Sequence, residues 1–95
     1  MKLTILASAS FERNVKKLHK KDKLTVDDAV SAIAADPGIG VEKKGDLSGV
    51  FVYKFKINKQ EVLLAYRLQP TKYKPEELVL LALGSHENFY STLKK

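Results

Sequence analysis

The stretch VYKFKI carries two lysines, Lys54 and Lys56, two positions apart in a run that alternates apolar and polar residues. On a β-strand that spacing projects both ammonium groups from one face, about 7 Å apart. Two cations so placed can position a phosphodiester and stabilise the charge that grows on it during phosphoryl transfer. The same pair also reads as a solvated strand face, on which Lys56 does no more than pair with Glu61. Arg67, in LLAYRL, falls on that face too, and a guanidinium can clamp a phosphate through two parallel hydrogen bonds. His86, in LGSHENFYSTLKK, is one of two histidines in the chain. It reads as an exposed residue at a helix start, as a partner of Glu87, or as a proton donor or acceptor. Tyr90 follows one helical turn later, either sharing the face of His86 or packing its ring with a wet hydroxyl. Lys43 and Lys44, in VEKKGDLSG, read as solvated loop cations, beside glycines that would let the backbone approach phosphate. The other histidine, His19, sits in KKLHKK and reads as surface.

Composition narrows the chemistry. Ninety-five residues fit one domain, 1–95, with a modest core and no room for a deep enclosed pocket. There is no cysteine, and the two histidines are far apart, so neither a disulfide framework nor a metal site is expected. No cofactor is expected either. Seventeen Lys and Arg against eleven Asp and Glu give a net charge of +6. An excess of that size on so small a body points to nucleic acid, an acidic protein or anionic lipid, or serves solubility alone. The apolar run of MKLTILASAS is too short for a signal peptide, and no segment approaches the roughly 20 apolar residues of a membrane span. A cytoplasmic protein with no membrane attachment is the expectation.

The elements that must hold these residues follow from periodicity. KLTIL reads as a short strand. From about Ser8 to Lys21, Phe11, Val15 and Leu18 have helical spacing. LTVDDAVSAIAADPG reads as a second helix capped by Thr25, with Asp27 and Asp28 in its first turn. Its buried stripe is Val26, Ala29, Val30 and Ile33, and Pro37-Gly38 ends it. The two helices form a hairpin. VFVYKFKI and EVLLAYRL then make a β-hairpin turning at Asn58-Lys59, which pairs Ile57 with Gln60, Lys56 with Glu61 and Lys54 with Leu63. Phe51, Tyr53, Phe55, Ile57, Val62, Leu64, Tyr66 and Leu68 share the face toward the helices. Lys54, Lys56, Glu61 and Arg67 share the other. ELVLLALG reads as a central strand leading through Gly84-Ser85 into a short terminal helix.

Taken together, the helical hairpin, the Gly/Lys loop, GDLSGVFVYKFKI, VLLAYRL and LLALGSHENFYSTL resemble the RelE/ParE superfamily of type II toxin–antitoxin toxins over nearly the whole chain. The resemblance implies an α+β fold: a small curved antiparallel sheet with the helical hairpin on one face and a short C-terminal helix. It also implies a cognate antitoxin as partner, and one of two targets. RelE-type members cleave mRNA on the ribosome, whereas ParE-type members poison DNA gyrase. Lys54 and Lys56 match the strand lysines that RelE uses on phosphate. His86 falls where several ribosome-dependent members carry a catalytic histidine and RelE an arginine, and Tyr90 falls near the functional tyrosine of the terminal segment. Arg67 follows the LLAY tyrosine, whereas the RelE strand arginine precedes it. Glu61 lies near an acidic residue of the histidine-type members. The activity implied is metal-independent endoribonuclease cleavage by the RNA's own 2′-hydroxyl, with His86 as acid, Glu61 as base and Lys54, Lys56 and Arg67 stabilising charge.

Overall fold

The computed structural model describes residues 3–45 and 48–85. The expected terminal helix therefore lies outside the described residues, together with His86 and Tyr90. In chain order the elements are β1 (Thr4–Ala7), α1 (Ala9–Lys16), α2 (Lys20–Ala35), a 3-10 turn (Pro37–Ile39), β2 (Val41–Glu42), β3 (Phe51–Ile57), β4 (Gln60–Gln69) and β5 (Glu77–Gly84). The sheet order is β1-β5-β4-β3-β2. The α+β class is as expected, but the sheet is mixed: β1 joins β5 in parallel, Thr4 opposite Glu77 through Ala7 opposite Leu80.

That parallel pair forms because the chain leaves β1 directly into a helix. Ser8 makes the corner. Its Oγ accepts from the Phe11 amide at 3.1 Å, capping α1, and donates to the Leu81 carbonyl at 2.7 Å. Beyond Leu80, where β1 ends, the Asn14 side chain accepts from the Leu83 amide at 3.2 Å. Helix α1 thus satisfies the β5 backbone that the short strand leaves open.

The helix boundaries differ from the sequence expectation. The first helix stops at Lys16, and the second starts at Lys20 rather than at Thr25. Thr25 is an interior residue whose hydroxyl turns back to the Lys21 carbonyl at 3.5 Å. The first-turn acid is Asp22, not Asp27 or Asp28. Asp22 is 8% exposed and accepts from Asn58 Nδ2 at 3.3 and 3.4 Å. A hairpin residue 36 positions away therefore helps set where α2 begins, and no local pattern reports that. The stripe itself is as read: Val26, Ala29 and Ile33 are buried, and Val30 packs against them half-buried.

The β3–β4 hairpin has the expected register, from Ile57 opposite Gln60 to Lys54 opposite Leu63 and Phe51 opposite Tyr66. Asn58 and Lys59 both take positive φ, 52° and 70°, the pattern of a tight turn whose twist matches the strands. Phe51, Ile57, Leu64, Tyr66 and Leu68 pack under the helices with Phe11, Val26 and Ile33. A second buried cluster, Val50, Val52, Leu63, Ala65 and Ala82, lies on the opposite face.

Tyr66 joins the layers. Its ring stacks on Phe51 with centroids 5.3 Å apart, while its hydroxyl donates to the Pro37 carbonyl at 2.7 Å and accepts from the Gly40 amide at 3.0 Å. A Cβ at Gly40 would sit 2.6 Å from that hydroxyl oxygen. Burial raises the Tyr66 pKa above its ordinary 10.0; the Gly40 hydrogen bond opposes the shift and the Asp36 charge adds to it. Tyr66→Phe leaves a carbonyl and an amide unpaired and should cost about 1–3 kcal/mol in urea unfolding. The raised pKa stabilises the fold fully below pH 10 and less as pH rises beyond it, because the unfolded phenol ionises first. That alkaline loss should be smaller in Tyr66→Phe, and Gly40→Ala should lower the melting temperature in the wild-type background.

Candidate functional site

Alternation along β3 puts Lys54 and Lys56 on the face away from the helices, and both side chains are exposed. Glu61 pairs with Lys56 across the hairpin and is also exposed, yet the two do not close to an ion pair. One row further in, Lys54 is opposite Leu63, and Leu63 is opposite Gly84 on β5. The backbone that leads to Ser85 therefore leaves the sheet in the same row as Lys54, two strands or about 10 Å away. Lys54, Lys56 and Glu61 are brought together with the end of β5.

Arg67 is not in this group. It lies four residues beyond Leu63 along β4, about 13 Å at the rise of a strand, with buried Leu63 and Ala65 between. Its guanidinium lies by Gly49, where a Cβ would come within 3.7 Å of a terminal nitrogen; φ is +85° there, which only glycine adopts freely. Lys43 and Lys44 approach the same end, since the Lys43 amide donates to the Val50 carbonyl at 2.8 Å. Lys43 is half-buried and Lys44 exposed. The expected cations thus form two groups, Lys54 and Lys56 at one end of this face and Arg67 near the Lys43–Lys44 loop at the other, separated by buried apolar residues. His86 and Tyr90 lie outside the described residues.

A cleft of about 380 Å³ adjoins Arg67 and is lined by Glu42, Gly49, Gln69, Thr71 and Lys72 among others. Lys72 Nζ donates to Glu42 Oε1 at 2.7 Å and stands 5.3 Å from the Tyr73 ring centroid. The Glu42 hydrogen bond is the main reason that the Lys72 pKa is raised above 10.5, so this ammonium is protonated throughout the neutral range. Sequence reasoning alone misses Glu42, Lys72 and Tyr73. The signal that marks them is TKYK, an aromatic between lysines in a loop bounded by Pro70 and Pro75. A second cleft of about 430 Å³, lined by Phe11, Val15, Ala7, Arg13, Lys16 and Lys23 among others, runs along α1. Among the described residues, no three His, Cys, Asp or Glu side chains come together as a metal site, and no helix is long and apolar enough to cross a membrane.

The sequence matches the family described as the ParE-like toxin of type II bacterial toxin–antitoxin systems over residues 5–94. No curated protein matches the chain. Among solved structures, the RelBE2 toxin–antitoxin complex of Mycobacterium tuberculosis superposes with a TM-score of 0.73 at 18% identity, covering 90% of this chain and all of that one. A free mutant of the E. coli toxin RelE gives 0.72 at 13% identity, covering 99% of this chain and 94% of that one. The archaeal RelE–RelB complex of Pyrococcus horikoshii gives 0.57 at 14%, covering 92% and 98%. At these identities the structural likeness is one of fold.

The two kinds of residue on this face should separate cleanly in unfolding experiments. Leu63→Ala removes a fully buried side chain and should cost about 2–5 kcal/mol. Lys54→Ala and Lys56→Ala should stay within about 0.5 kcal/mol of the parent. A large loss of stability in either lysine variant would show that the cation serves the fold.

Proposed function

The chain belongs to the ParE-like toxins of type II bacterial toxin–antitoxin systems, and from that premise we propose that it is a ribosome-dependent mRNA endonuclease that stops translation in the cytoplasm. The observation that supports this reading is the row Lys54–Leu63–Gly84, which brings two exposed strand lysines to the end of the strand that His86 follows by two residues. In the proposed reaction the 2′-hydroxyl oxygen attacks the adjacent phosphorus as Glu61 takes its proton. The bond to the 5′-oxygen breaks, His86 supplies the proton that this oxygen needs, and a 2′,3′-cyclic phosphate remains. Lys54 and Lys56 stabilise the phosphorane charge. Arg67, about 13 Å from their row, holds a flanking phosphate with Lys43 and Lys44 rather than the reacting one. Tyr90 completes the terminal segment's contribution. No metal ion enters this scheme.

A shallow basic face suits a substrate that the ribosome presents, because a domain of this size has no deep pocket to exclude water by itself. A cognate antitoxin is the other partner. Solved RelBE complexes support it, and an acidic or amphipathic segment would suit a surface of net charge +6. The alternative target is DNA gyrase without nuclease chemistry, which the ParE-like family description favours. Mapping mRNA 5′ ends after induction separates the two. Discrete in-frame cuts within translated regions are expected; DNA-damage signalling without such cuts would overturn the nuclease reading.

Two variants carry the reading to residues. His86→Ala should fold and bind ribosomes yet cleave mRNA about 10²–10⁴ times more slowly, the usual worth of a positioned acid or base. Full toxicity in that variant would remove the histidine from the chemistry. Lys54→Glu combined with Lys56→Glu should abolish ribosome association, and the parent's affinity should fall steeply with salt, as phosphate contacts require.

A further inference from the structure

The loop between β4 and β5 is unusually well closed for an exposed segment. The Glu76 amide donates to the Gln69 carbonyl at 2.7 Å, and the Lys74 amide donates to Thr71 Oγ1 at 3.2 Å. At its tip Tyr73 is 85% exposed. One exposed aromatic needs no explanation by itself. This one, however, stands between two lysines and has the Lys72 ammonium over its ring, 5.3 Å from the centroid. Its neighbours Thr71 and Lys72 line the cleft that holds Arg67. A cation over one face leaves the other face of the ring open, and a ring held at the tip of a closed loop loses little freedom when it is covered.

We propose that this loop is a stacking platform for a base of single-stranded RNA, and that the adjoining cleft takes a neighbouring phosphate on Arg67 and Lys72. The proposal rests on the reading of the protein as an RNA-cutting toxin and adds a second substrate contact to it. Arg67 and Lys72 against Glu42 leave the cleft with one net positive charge (two cations less one anion). Around Tyr73, the neighbours Thr71, Lys72 and Lys74 are exposed and polar, and of the apolar residues lining the adjoining cleft, Phe51 and Leu68 are buried and Pro70 alone is exposed. A docking peptide needs apolar anchors to bury. A base needs only a π-face and a nearby cation, and stacking of this kind accepts any base. The platform begins six residues along β4 from the Lys54 row, about 20 Å away. It therefore holds RNA flanking the cut, not the reacting linkage, and sets how the strand lies across the face.

The test measures equilibrium binding of a fluorescein-labelled 15-nucleotide 2′-O-methyl RNA, which cannot be cleaved, to the full chain at low salt. Tyr73→Ala should weaken binding about five- to a hundredfold, while Tyr73→Phe keeps it. Arg67→Ala should lower the slope of log affinity against log salt by about one, and Glu42→Gln, which frees Lys72 from its pair, should tighten binding. If Tyr73→Ala binds as the parent does while Lys54→Glu with Lys56→Glu does not bind, the platform is wrong and the RNA reading stands. If the parent itself does not bind this RNA, or if no variant alters binding, the platform is overturned. Neither result overturns the ribosome-dependent reading, in which the ribosome presents the RNA. Should Tyr73→Ala weaken only the complex with the antitoxin, the loop is a protein contact and the platform is likewise overturned.

Discussion

The buried phenol of Tyr66 is the constraint on which the rest of the molecule depends. Its ring belongs to the sheet, stacked on Phe51, and its hydroxyl belongs to the turn that ends α2. A buried hydroxyl must find partners or carry a desolvation penalty of about 1–3 kcal/mol, and here both partners are backbone groups. These two bonds hold Pro37 and Gly40 down onto β4, and with them the C-terminal end of α2. Asn58 fixes the other end of that helix through Asp22. Pinned at both ends, α2 covers one face of the sheet, while on the opposite face a buried apolar cluster lies between the cations.

Once Tyr66 points toward the helices, strand alternation leaves no freedom to its neighbours. Leu64 and Leu68 go inward; Leu63, Ala65 and Arg67 go outward. The outward face is then neither a plain polar surface nor a pocket. It has a buried apolar floor of Val50, Val52, Leu63, Ala65 and Ala82, with Lys54, Lys56 and Glu61 at one end and Arg67 at the other. Cations spread in this way cannot all act on one phosphate. They suit a ligand long enough to touch both groups. The strong fields that dry active sites use to stabilise transition states would have to be supplied by whatever large partner closes over this surface.

Much of this was legible because strands announce themselves in period two and a two-residue turn ties their register. From VFVYKFKINKQEVLLAYRL alone, the pairing of Lys54 with Leu63 and of Lys56 with Glu61 can be read, and with it the face of each residue. The N-terminus of α2 was not legible, since Thr25-Val-Asp-Asp mimics a capped helix start while the partner that helps decide the matter, Asn58, is remote in sequence. Nor was the parallel pairing of β1, which depends on Ser8 bonding the carbonyl of Leu81. The split of the cations was hidden for a different reason. Sharing a face is a property of parity, whereas sharing a site depends on distance along the strand, and Arg67 satisfies only the first.

The irregularity in β5 shows how finely the end of the sheet is set. Tyr66 faces Leu80 and Ala65 faces Ala82, so Leu81 is an extra residue in the ladder. Were Leu81 instead paired regularly with Ala65, the register beyond it would slip by one, placing Ala82 opposite Leu64 and Leu83 opposite Leu63. An alanine would then sit under the helices, a leucine would point to the cation face, and Gly84 would lie beyond the Lys54 row. With the extra residue, Leu80 and Leu83 both enter the main core, Ala82 joins the apolar floor, and Gly84 comes level with Leu63 and Lys54. Bulges bend a strand and re-aim the residues beyond the bend. Here one inserted leucine serves packing and placement at once: the residue choice that fills the core also determines where the backbone leaves the sheet beside the two lysines.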